Sequence, residues 1–350
     1  MAAHPGIMKR AFTMGTLVLV ALVLPVGRAV AAAEQDTVSV DFETEGVIHG
    51  ALQYLAKQQG INGSWTQNPG SASNPVAMTG YVLMAYLSTG NLPDEGEFGR
   101  NVTSGMQFLL NQIQPDGLFR GVGQGQYMYS HGIATLALAE LYGQTKSPLL
   151  RQRLEQVLGV ILGAQSTVGG WRYTPTARDA DISVTVLQVA ALRAAKNAGL
   201  AVPADRIERA IEFIRKCYNE GSGGFAYQPG GGPGFARTAA GIYSLQVCGK
   251  YDDPRVAKGS DYLFDNVDKN QEWWPYACYY AAPAQYMIGG DVWKRWYAEM
   301  KTKLLSTVSR DGDMNHWDNK GGGWLGPIYN TAVFITILAV PYHYIPLYQR

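Results

Sequence analysis

Apolar residues recur along the chain at the spacing of a helix face, in segments separated by loops rich in glycine and aromatic residues. In the first such segment, 47–59, one helix face carries Val47, Ile48, Ala51, Leu52 and Leu55. Pro75 begins the next segment and Gly90 follows it, in agreement with the preference for proline in the first helical turn and glycine beyond the last. The pattern predicts a helical chain whose loops mark the helix boundaries.

Six pairs of helices are predicted. The first helices span 47–59, 99–114, 149–165, 204–217, 255–266 and 292–309. The second helices span 75–87, 127–141, 179–198, 235–247, 276–288 and 328–340. A glycine-aromatic loop joins the two helices of a pair, clearest at Trp65, Phe119, Trp171 and Phe225 and weaker at 273–274 and 315–317. The four clear aromatic residues follow one another at intervals of 52 to 54 residues, which indicates a repeat architecture.

The two helices of a pair differ in polarity. The first helices carry charges on one face, as in 151–155, whereas the second helices are small and apolar almost all round, as in 133–139. A helix that is apolar all round must be enclosed by other helices. We therefore expect an all-α fold of six outer and six inner helices, closed into a ring, as a single domain over residues 34–350.

Composition and charge exclude several classes of protein. The 350 residues include 29 basic and 28 acidic ones, and a formal net charge of +1 gives no electrostatic basis for binding nucleic acid. The cysteines Cys217, Cys248 and Cys278 are too few and too scattered for a disulfide framework and are expected to be small buried residues. His49 and His316 lack metal-ligand spacing, so the sequence predicts neither a metal site nor a cofactor.

The N-terminus has the pattern of an export signal. Lys9 and Arg10 precede an apolar run over 11–26, and small residues follow at 29–33. The run is short for a membrane-spanning helix, which favours cleavage near residue 33 over retention as an anchor. The folded domain is therefore expected to be periplasmic or secreted.

The loops also resemble those of a known superfamily. The residues that carry the resemblance are the six glycine-aromatic loops, Gln58 and Gln165 ahead of Trp65 and Trp171, and Asp179-Ala180-Asp181 at the start of an inner helix. They resemble the prenyltransferase and squalene-cyclase repeat superfamily over roughly 47–340. The resemblance implies an α/α toroid in which the first turns of the inner helices meet at one end of a central apolar cavity.

Polar and aromatic residues at the mouth of an apolar cavity are typical of a binding site. The candidates that the resemblance places there are Tyr127, Tyr129, Phe235, Arg237, Tyr276, Tyr280 and Tyr329. His131 is a candidate proton carrier, or else a structurally satisfied histidine. The expected ligand is a hydrophobic small molecule, with peripheral membrane contact allowed and no partner subunit indicated.

Asp179 and Asp181 resemble the first two acids of the Asp-x-Asp-Asp motif of class II terpene cyclases, while Ile182 stands in place of the third acid. The resemblance implies that Asp181 protonates an alkene, that Asp179 orients it, and that aromatic faces stabilise the carbocation. A structural interpretation stays open beside it. Asp179 would then be the helix N-cap and Asp181 a first-turn carboxylate paired with Arg178 or Arg237.

The leading functional interpretation is an exported isomerase that cyclises a polyprenyl or lipid-like substrate. A non-catalytic toroid that binds a lipid, peptide or glycan is one alternative, and a polysaccharide lyase or hydrolase on the same barrel is another. A zinc prenyltransferase is rejected because Cys278 lacks the Asp-x-Cys pair of those enzymes. The loop tryptophans and Tyr173 are expected to be packing anchors between adjacent repeats rather than residues that stack on a ligand. The glycine tract 221–234 is expected to be a turn rather than a phosphate-binding loop.

Overall fold

The computed structural model describes residues 38–67, 74–120, 122, 126–269, 273–318 and 326–349. The predicted export signal lies outside these residues and stays a prediction. The outer helices are α1 (Phe42–Lys57), α3 (Gly99–Gln112), α5 (Pro148–Ala164), α7 (Ala204–Lys216), α9 (Pro254–Asn266) and α11 (Gly290–Thr307). The inner helices are α2 (Pro75–Ser88), α4 (Tyr127–Thr145), α6 (Ile182–Asn197), α8 (Phe235–Val247), α10 (Trp274–Ile288) and α12 (Gly326–Leu338). Within the described part of the chain, none of these helices has the length and apolar character needed to cross a membrane.

The inner helices form a closed ring. Each inner helix packs against the next one along the chain, and α12 packs against α2. The outer helices lie on this ring, for example α5 on α4, α9 on α8 and α1 on α12. The fold is therefore an α/α toroid, and the predicted alternation of outer and inner helices is confirmed.

The polarity of the helices accounts for their positions. In α4, all residues of 130–142 are buried. In α7, the buried residues are Ala210, Ile211, Phe213 and Ile214, which lie on one face. Full burial of a large apolar side chain contributes about 1.5–3 kcal/mol, so an inner helix is stable only where neighbours cover it on every side. Closure of the ring provides this cover.

The loop aromatic residues connect the two rings of helices. The indole N–H of each of three loop tryptophans donates to a carbonyl of the preceding outer helix: Trp65 to Leu55 (2.6 Å), Trp171 to Ile161 (2.7 Å) and Trp317 to Leu304 (2.9 Å). The backbone N–H of four loop aromatic residues donates to a threonine of the following inner helix, at Trp65–Thr79, Trp171–Thr185, Phe225–Thr238 and Trp317–Thr331. All four rings are buried. The predicted role of the loop tryptophans Trp65, Trp171 and Trp317 as packing anchors is confirmed.

A glutamine closes two of these loops. The side-chain amide of Gln165 donates to the carbonyls of Gly169 (2.7 Å) and Arg206 (2.8 Å), which joins the loop to the next outer helix. In the first repeat the same bonds come from Gln59, to Gly63 and Asn101 at 2.9 Å. The residue of the first repeat that is equivalent to Gln165 is therefore Gln59, six residues before Trp65, and its neighbour Gln58 is the C-cap of α1.

Glycine is required where the loop passes the next outer helix. Gly169 has a φ of +103°, and a Cβ there would lie 2.3 Å from the carbonyl oxygen of Arg209. Gly63 repeats this, with a φ of +86° and 2.3 Å to the carbonyl oxygen of Ser104. Any side chain at either position would force the loop away from the helix.

The C-terminal part of the chain adds two features that the helix pattern did not predict. The strands β1 (Ser309–Asp311) and β2 (Met314–His316) form a short antiparallel hairpin after α11. After α12, two 3-10 turns follow, Val340–Tyr342 and Pro346–Tyr348, and the second contacts both α6 and α10. This C-terminal tail therefore lies across the inner ring.

Glu140 of α4 is buried at the tail and is 3% exposed. It accepts a hydrogen bond from the backbone of Leu347, and its neighbours include Tyr243, Tyr279 and Tyr348. Burial raises the pKa of Glu140 to about 8, with the Leu347 hydrogen bond acting in the opposite direction. The carboxyl is therefore mostly protonated at neutral pH.

The substitution Glu140→Gln is expected to stabilise the protein increasingly as the pH rises from about 5 to about 8. The pKa of Glu140 is higher in the folded state than in the unfolded state, so between these two pKa values the folded state keeps a proton that the unfolded state releases. The wild-type protein therefore loses stability as the pH rises through this range. The loss is absent below about pH 5 and nearly complete at about pH 8. The gain at pH 8 should be on the order of a few kcal/mol. Urea unfolding at both ends of the window measures it, with the exposed Glu95→Gln as control. A gain that does not change with pH would contradict this account.

Candidate functional site

Asp181 closes the loop of the third repeat and begins α6. Its backbone N–H donates to the carbonyl of Trp171 at 3.0 Å, which brings the two ends of the 171–181 loop together. Its Oδ1 accepts a hydrogen bond from the N–H of Val184 at 2.9 Å, so Asp181 is the N-cap of α6. The alternative in which Asp179 is the N-cap is wrong, because the bridge to Trp171 holds residue 181 extended and the helix starts at Ile182.

The Asp181 carboxyl is fully buried, and only one of its two oxygens accepts a hydrogen bond. Its exposed fraction is 0%, and Oδ2 has no hydrogen-bond partner. Nε of Arg172 lies 3.6 Å from Oδ2, which is an ion-pair distance and too long for a good hydrogen bond. Burial raises the pKa of Asp181 to about 6, while the Val184 N–H, the Tyr227 hydroxyl and Arg172 act to lower it.

Arg172 lies between a buried and an exposed acid. Its Nη1 is 3.4 Å from Oδ2 of Asp179, and its Nε is 3.6 Å from Oδ2 of Asp181. The guanidinium carbon lies 4.7 Å from the ring centre of Tyr173 and 5.4 Å from that of Tyr227. The site therefore already holds a cation against two aromatic faces beside a buried carboxyl.

Four partly exposed tyrosines, here called the tyrosine rim, surround this group: Tyr129, Tyr173, Tyr227 and Tyr276. Tyr129 stacks on Tyr173 with ring centres 5.9 Å apart, and the hydroxyls of Tyr173 and Tyr227 are hydrogen-bonded. Tyr276 donates its hydroxyl to the carbonyl of Ser183 at 3.0 Å. The rim thus brings together α4, α6 and α10. Burial raises the pKa of Tyr129, Tyr227 and Tyr276, so their hydroxyls stay protonated.

Tyrosine rings also meet across the ring of inner helices. Tyr81 of α2 lies edge-on to Tyr279 of α10 at 5.3 Å and to Tyr329 of α12 at 4.9 Å. Tyr280 lies 4.9 Å from Tyr276 and 5.2 Å from Tyr279. The predicted binding residues Tyr280 and Tyr329 belong to this packed group. At this level, where the resemblance implied a central cavity, tyrosine rings from α2, α10 and α12 are in contact with one another.

The candidates Tyr127 and His131 face an outer helix. Nε2 of His131 donates to the carbonyl of Val157 in α5 at 2.9 Å, and Nδ1 accepts from the Tyr127 hydroxyl at 3.3 Å. The Tyr127 hydroxyl also accepts a hydrogen bond from the backbone N–H of Phe119. In four other loops, a threonine hydroxyl accepts the equivalent bond. Burial lowers the pKa of His131 to about 4, so it is neutral. These contacts favour the structural interpretation of His131 over the catalytic one.

Arg237 and Phe235 lie outside the group around Asp181. Arg237 is exposed and donates to the carbonyl of Gly232 at 3.0 Å, and Phe235 is buried in the first turn of α8. The expected ion pair of Asp181 with Arg178 or Arg237 is wrong, because Arg172 fills that position. The start of α8 turns Arg237 back towards the glycine-rich loop instead.

Asp179 faces the outside of the loop, with 62% of its side chain exposed. It borders a surface groove of about 560 Å³, whose lining also includes Val168, Arg209, Phe213, Lys216 and Gln228. The Gln228 amide donates to the carbonyl of Ala180 at 2.8 Å and holds this loop against the next one. The two acids of the predicted pair therefore have opposite environments, with Arg172 between them.

No cluster of three His, Cys, Asp or Glu side chains suited to a metal ion occurs in the described residues. Cys217, Cys248 and Cys278 are not in disulfides, and Cys217 and Cys278 are buried.

Sequence reasoning missed Arg172 and Tyr227 as members of the site. The repeat carries a signal for Tyr227, because Tyr173 and Tyr227 each stand two residues after a loop aromatic residue. Their carbonyls accept equivalent bonds, from the N–H of Met128 (2.9 Å) and of Ile182 (3.0 Å). An alignment of the loops against each other would have placed both tyrosines at the inner helix starts.

The closed double ring of helices defines the α/α toroid fold. The type II terpene cyclase MstE from Scytonema is similar with a TM-score of 0.61 and 14% identity, over 87% of this chain and 99% of its own. The α-1,6-mannanase GH76A from Salegentibacter sp. HEL1_6 has a TM-score of 0.63 and 9% identity, over 86% and 99%. No protein-family model and no curated protein matches the sequence. A terpene cyclase and an α-1,6-mannanase thus share this fold, and the fold by itself assigns neither activity to this chain.

Proposed function

We propose that the protein is an exported acid catalyst that isomerises a short polyprenyl substrate by proton-initiated cyclisation at the tyrosine rim. The observation that carries the proposal is the Asp181 carboxyl, which is buried, has one oxygen without a hydrogen-bond partner and lies among tyrosine rings. A general acid is most effective when its pKa lies near the working pH, and the pKa of Asp181 is raised to about 6.

In the proposed reaction the O–H bond of protonated Asp181 breaks and its proton joins one carbon of a substrate double bond. The π electrons of the alkene form the new C–H bond, which leaves a cation on the other carbon. The Asp181 carboxylate is then stabilised by the Val184 N–H, which donates to its Oδ1. Aromatic faces attract the cation while a second double bond closes the ring. Loss of a proton to the Asp181 carboxylate restores the acid and leaves an isomer of the substrate.

The tyrosines inside the ring of inner helices limit the length of the substrate. Tyr81 is in edge-on contact with Tyr279 and with Tyr329, and these rings would block a long chain inside the toroid, so the proposal places the substrate at the rim. This favours a short polyprenyl chain over a triterpene. MstE is described in complex with geranylgeranyl dihydroxybenzoate as its substrate, which makes that compound a suitable probe. For an exported protein, peripheral contact with a membrane would supply such a lipid.

Incubation in D₂O tests this proposal. The purified protein is mixed with farnesol, geranylgeraniol or geranylgeranyl dihydroxybenzoate, and the products are analysed by mass spectrometry. We expect a product with the composition of its substrate and one carbon-bound deuterium, since the exchangeable proton of Asp181 becomes a deuteron. Absence of any isomer from all three compounds, with a protein shown to be folded, would refute the cyclase.

Action on a glycan is the second candidate, and the exposed half of the site favours it. The rim tyrosines offer partly exposed ring faces and hydroxyls, and Asp179 with Arg172 adds charged groups at the surface. GH76A is described in complex with α-1,6-mannotriose. Incubation with this trisaccharide would give shorter sugars that have gained one water if the protein is a hydrolase. A thermal shift without products would instead indicate a non-catalytic toroid.

A further inference from the structure

The rings of Tyr173 and Tyr227 form a cation slot that the chain fills with its own Arg172. The guanidinium carbon lies 4.7 Å and 5.4 Å from the two ring centres, and the hydrogen bond between the hydroxyls holds the rings together. Nη1 of Arg172 is buried without a hydrogen-bond partner. Arg172 is therefore held by ring faces and by ion-pair contacts, not by the directed hydrogen bonds that usually fix a buried arginine.

We propose that this slot is the cation site of the reaction, that Arg172 occupies it in the empty protein, and that an entering substrate displaces Arg172 towards Asp179. The inference rests on the proposed function and deepens it. The ligand class is a compact organic cation without hydrogen-bond donors, or the alkene that becomes one. Asp179, at 62% side-chain exposure and 3.4 Å from Nη1, provides the outer anchor for the displaced guanidinium.

Displacement of Arg172 would change the state of Asp181. Five charged or titratable groups among the described residues interact electrostatically with the Asp181 carboxyl. They are Arg172 and Tyr227 in the loops, Tyr129 on α4, Tyr276 on α10 and Cys217 after α7. Arg172 is the cation in this group, and loss of an opposite charge favours the neutral carboxyl. Substrate entry would thus make Asp181 the protonated acid when the alkene arrives, and Arg172 acts as a positioning residue.

Tetramethylammonium, a round cation without hydrogen-bond donors, is the probe for the slot. Its binding to wild type, Arg172→Gln and Arg178→Gln is measured by NMR titration at constant ionic strength. Arg178 lies exposed in the same loop and outside the slot. Because both variants replace an arginine by a glutamine, they remove the same charge, and only Arg172→Gln empties the slot. We expect Arg172→Gln to bind the probe about tenfold more tightly than wild type, the factor typical of a partly desolvated cation–π contact, and Arg178→Gln to resemble wild type.

Equal affinities in the two variants would overturn the proposal, because charge alone would then explain the effect. So would unchanged binding when Tyr227→Leu is added to Arg172→Gln, provided that circular dichroism shows both variants folded. A second readout is the infrared carboxyl band of Asp181, assigned with Asp181→Asn, whose titration midpoint should move to higher pH in Arg172→Gln. Neither measurement depends on turnover. The cation slot can therefore be refuted while the D₂O experiment supports cyclisation, and cyclisation can be refuted while the probe binds in the slot.

Discussion

Asp181→Asn is expected to lower the turnover of the polyprenyl substrate by about 10²–10⁴-fold, the usual contribution of a general acid. Asparagine keeps the shape of the side chain, and its oxygen can still accept the Val184 N–H as an N-cap, but it has no acidic proton. The loss should therefore fall on kcat. Because the folded-state pKa of Asp181 is raised, ionisation of the wild-type carboxyl costs stability as the pH rises from about 4 to about 6. The variant avoids this cost and should remain folded.

The pH dependence provides an internal check of this prediction. Since the acid must be protonated, wild-type kcat/KM, which reports the protein without substrate, should fall as the pH rises through about 6, and the residual kcat/KM of Asp181→Asn should lack this fall. Asp205→Asn, in the first turn of outer helix α7, is the matched control and should keep wild-type turnover. Turnover of Asp181→Asn close to that of wild type would remove Asp181 from the chemistry.

Trp171→Ala is expected to reduce the free energy of unfolding by about 3–5 kcal/mol, which is typical of truncating a large buried aromatic side chain. The Trp171 ring is 0% exposed, and its indole N–H donates to the Ile161 carbonyl at 2.7 Å. Alanine would leave both a cavity and an unpaired buried carbonyl. The loop that carries Arg172 and Asp181 begins at this residue, so the site should loosen together with the anchor. Urea unfolding at constant pH measures the change.

Two further variants define the cause of this destabilisation. Trp171→Phe should cost much less, because Phe119 and Phe225 occupy the same loop position in neighbouring repeats. Phe42→Ala, at a residue that is 91% exposed, should change the free energy of unfolding by no more than about 0.5 kcal/mol. A loss below about 1 kcal/mol for Trp171→Ala would show that the loop aromatic residues are not anchors.

The fold could be predicted from the sequence because each repeat carries the same pattern of one helix with a charged face and one apolar helix. The difference in polarity between 133–139 and 151–155 separates inner from outer helices, and the enclosure of six apolar helices requires a closed ring. The threonines at 79, 185 and 331, each fourteen residues after a loop tryptophan, were a readable sign of the contact between loop and inner helix. The hairpin after α11 was hidden because the helical pattern continued into it.

The position of Asp181 near the inner helix starts followed from the resemblance, but its environment did not. Two acids two residues apart can each cap a helix, and only the bond from Asp181 to Trp171, ten residues away in the chain, selects one of them. Likewise, the spacing that placed Arg237 near a helix start could not give the direction of its side chain. The choice of N-cap and the direction of the Arg237 side chain depend on contacts within and between loops, which helix periodicity does not reveal.

Glu140 shows what a lone polar residue can indicate. It is the one acid in the apolar stretch 130–142 and was passed over, although a carboxyl in a helix that must be enclosed has to be neutral or paired. In the structure it is buried at the C-terminal tail. A charged residue inside an inner-helix pattern is therefore a signal to look for a covering segment.

The central claim is that a substrate alkene meets Asp181 at the tyrosine rim. A crystal structure of Asp181→Asn soaked with geranylgeranyl dihydroxybenzoate tests it most directly. The account predicts an alkene carbon within about 3.5 Å of the residue 181 side chain, the distance of a reactive contact, with Arg172 turned towards Asp179. A ligand bound in the outer groove beside Val168, with no alkene carbon near residue 181, would contradict the account. Arg172 unmoved between its two tyrosines beside a correctly placed alkene would contradict only the displacement of Arg172.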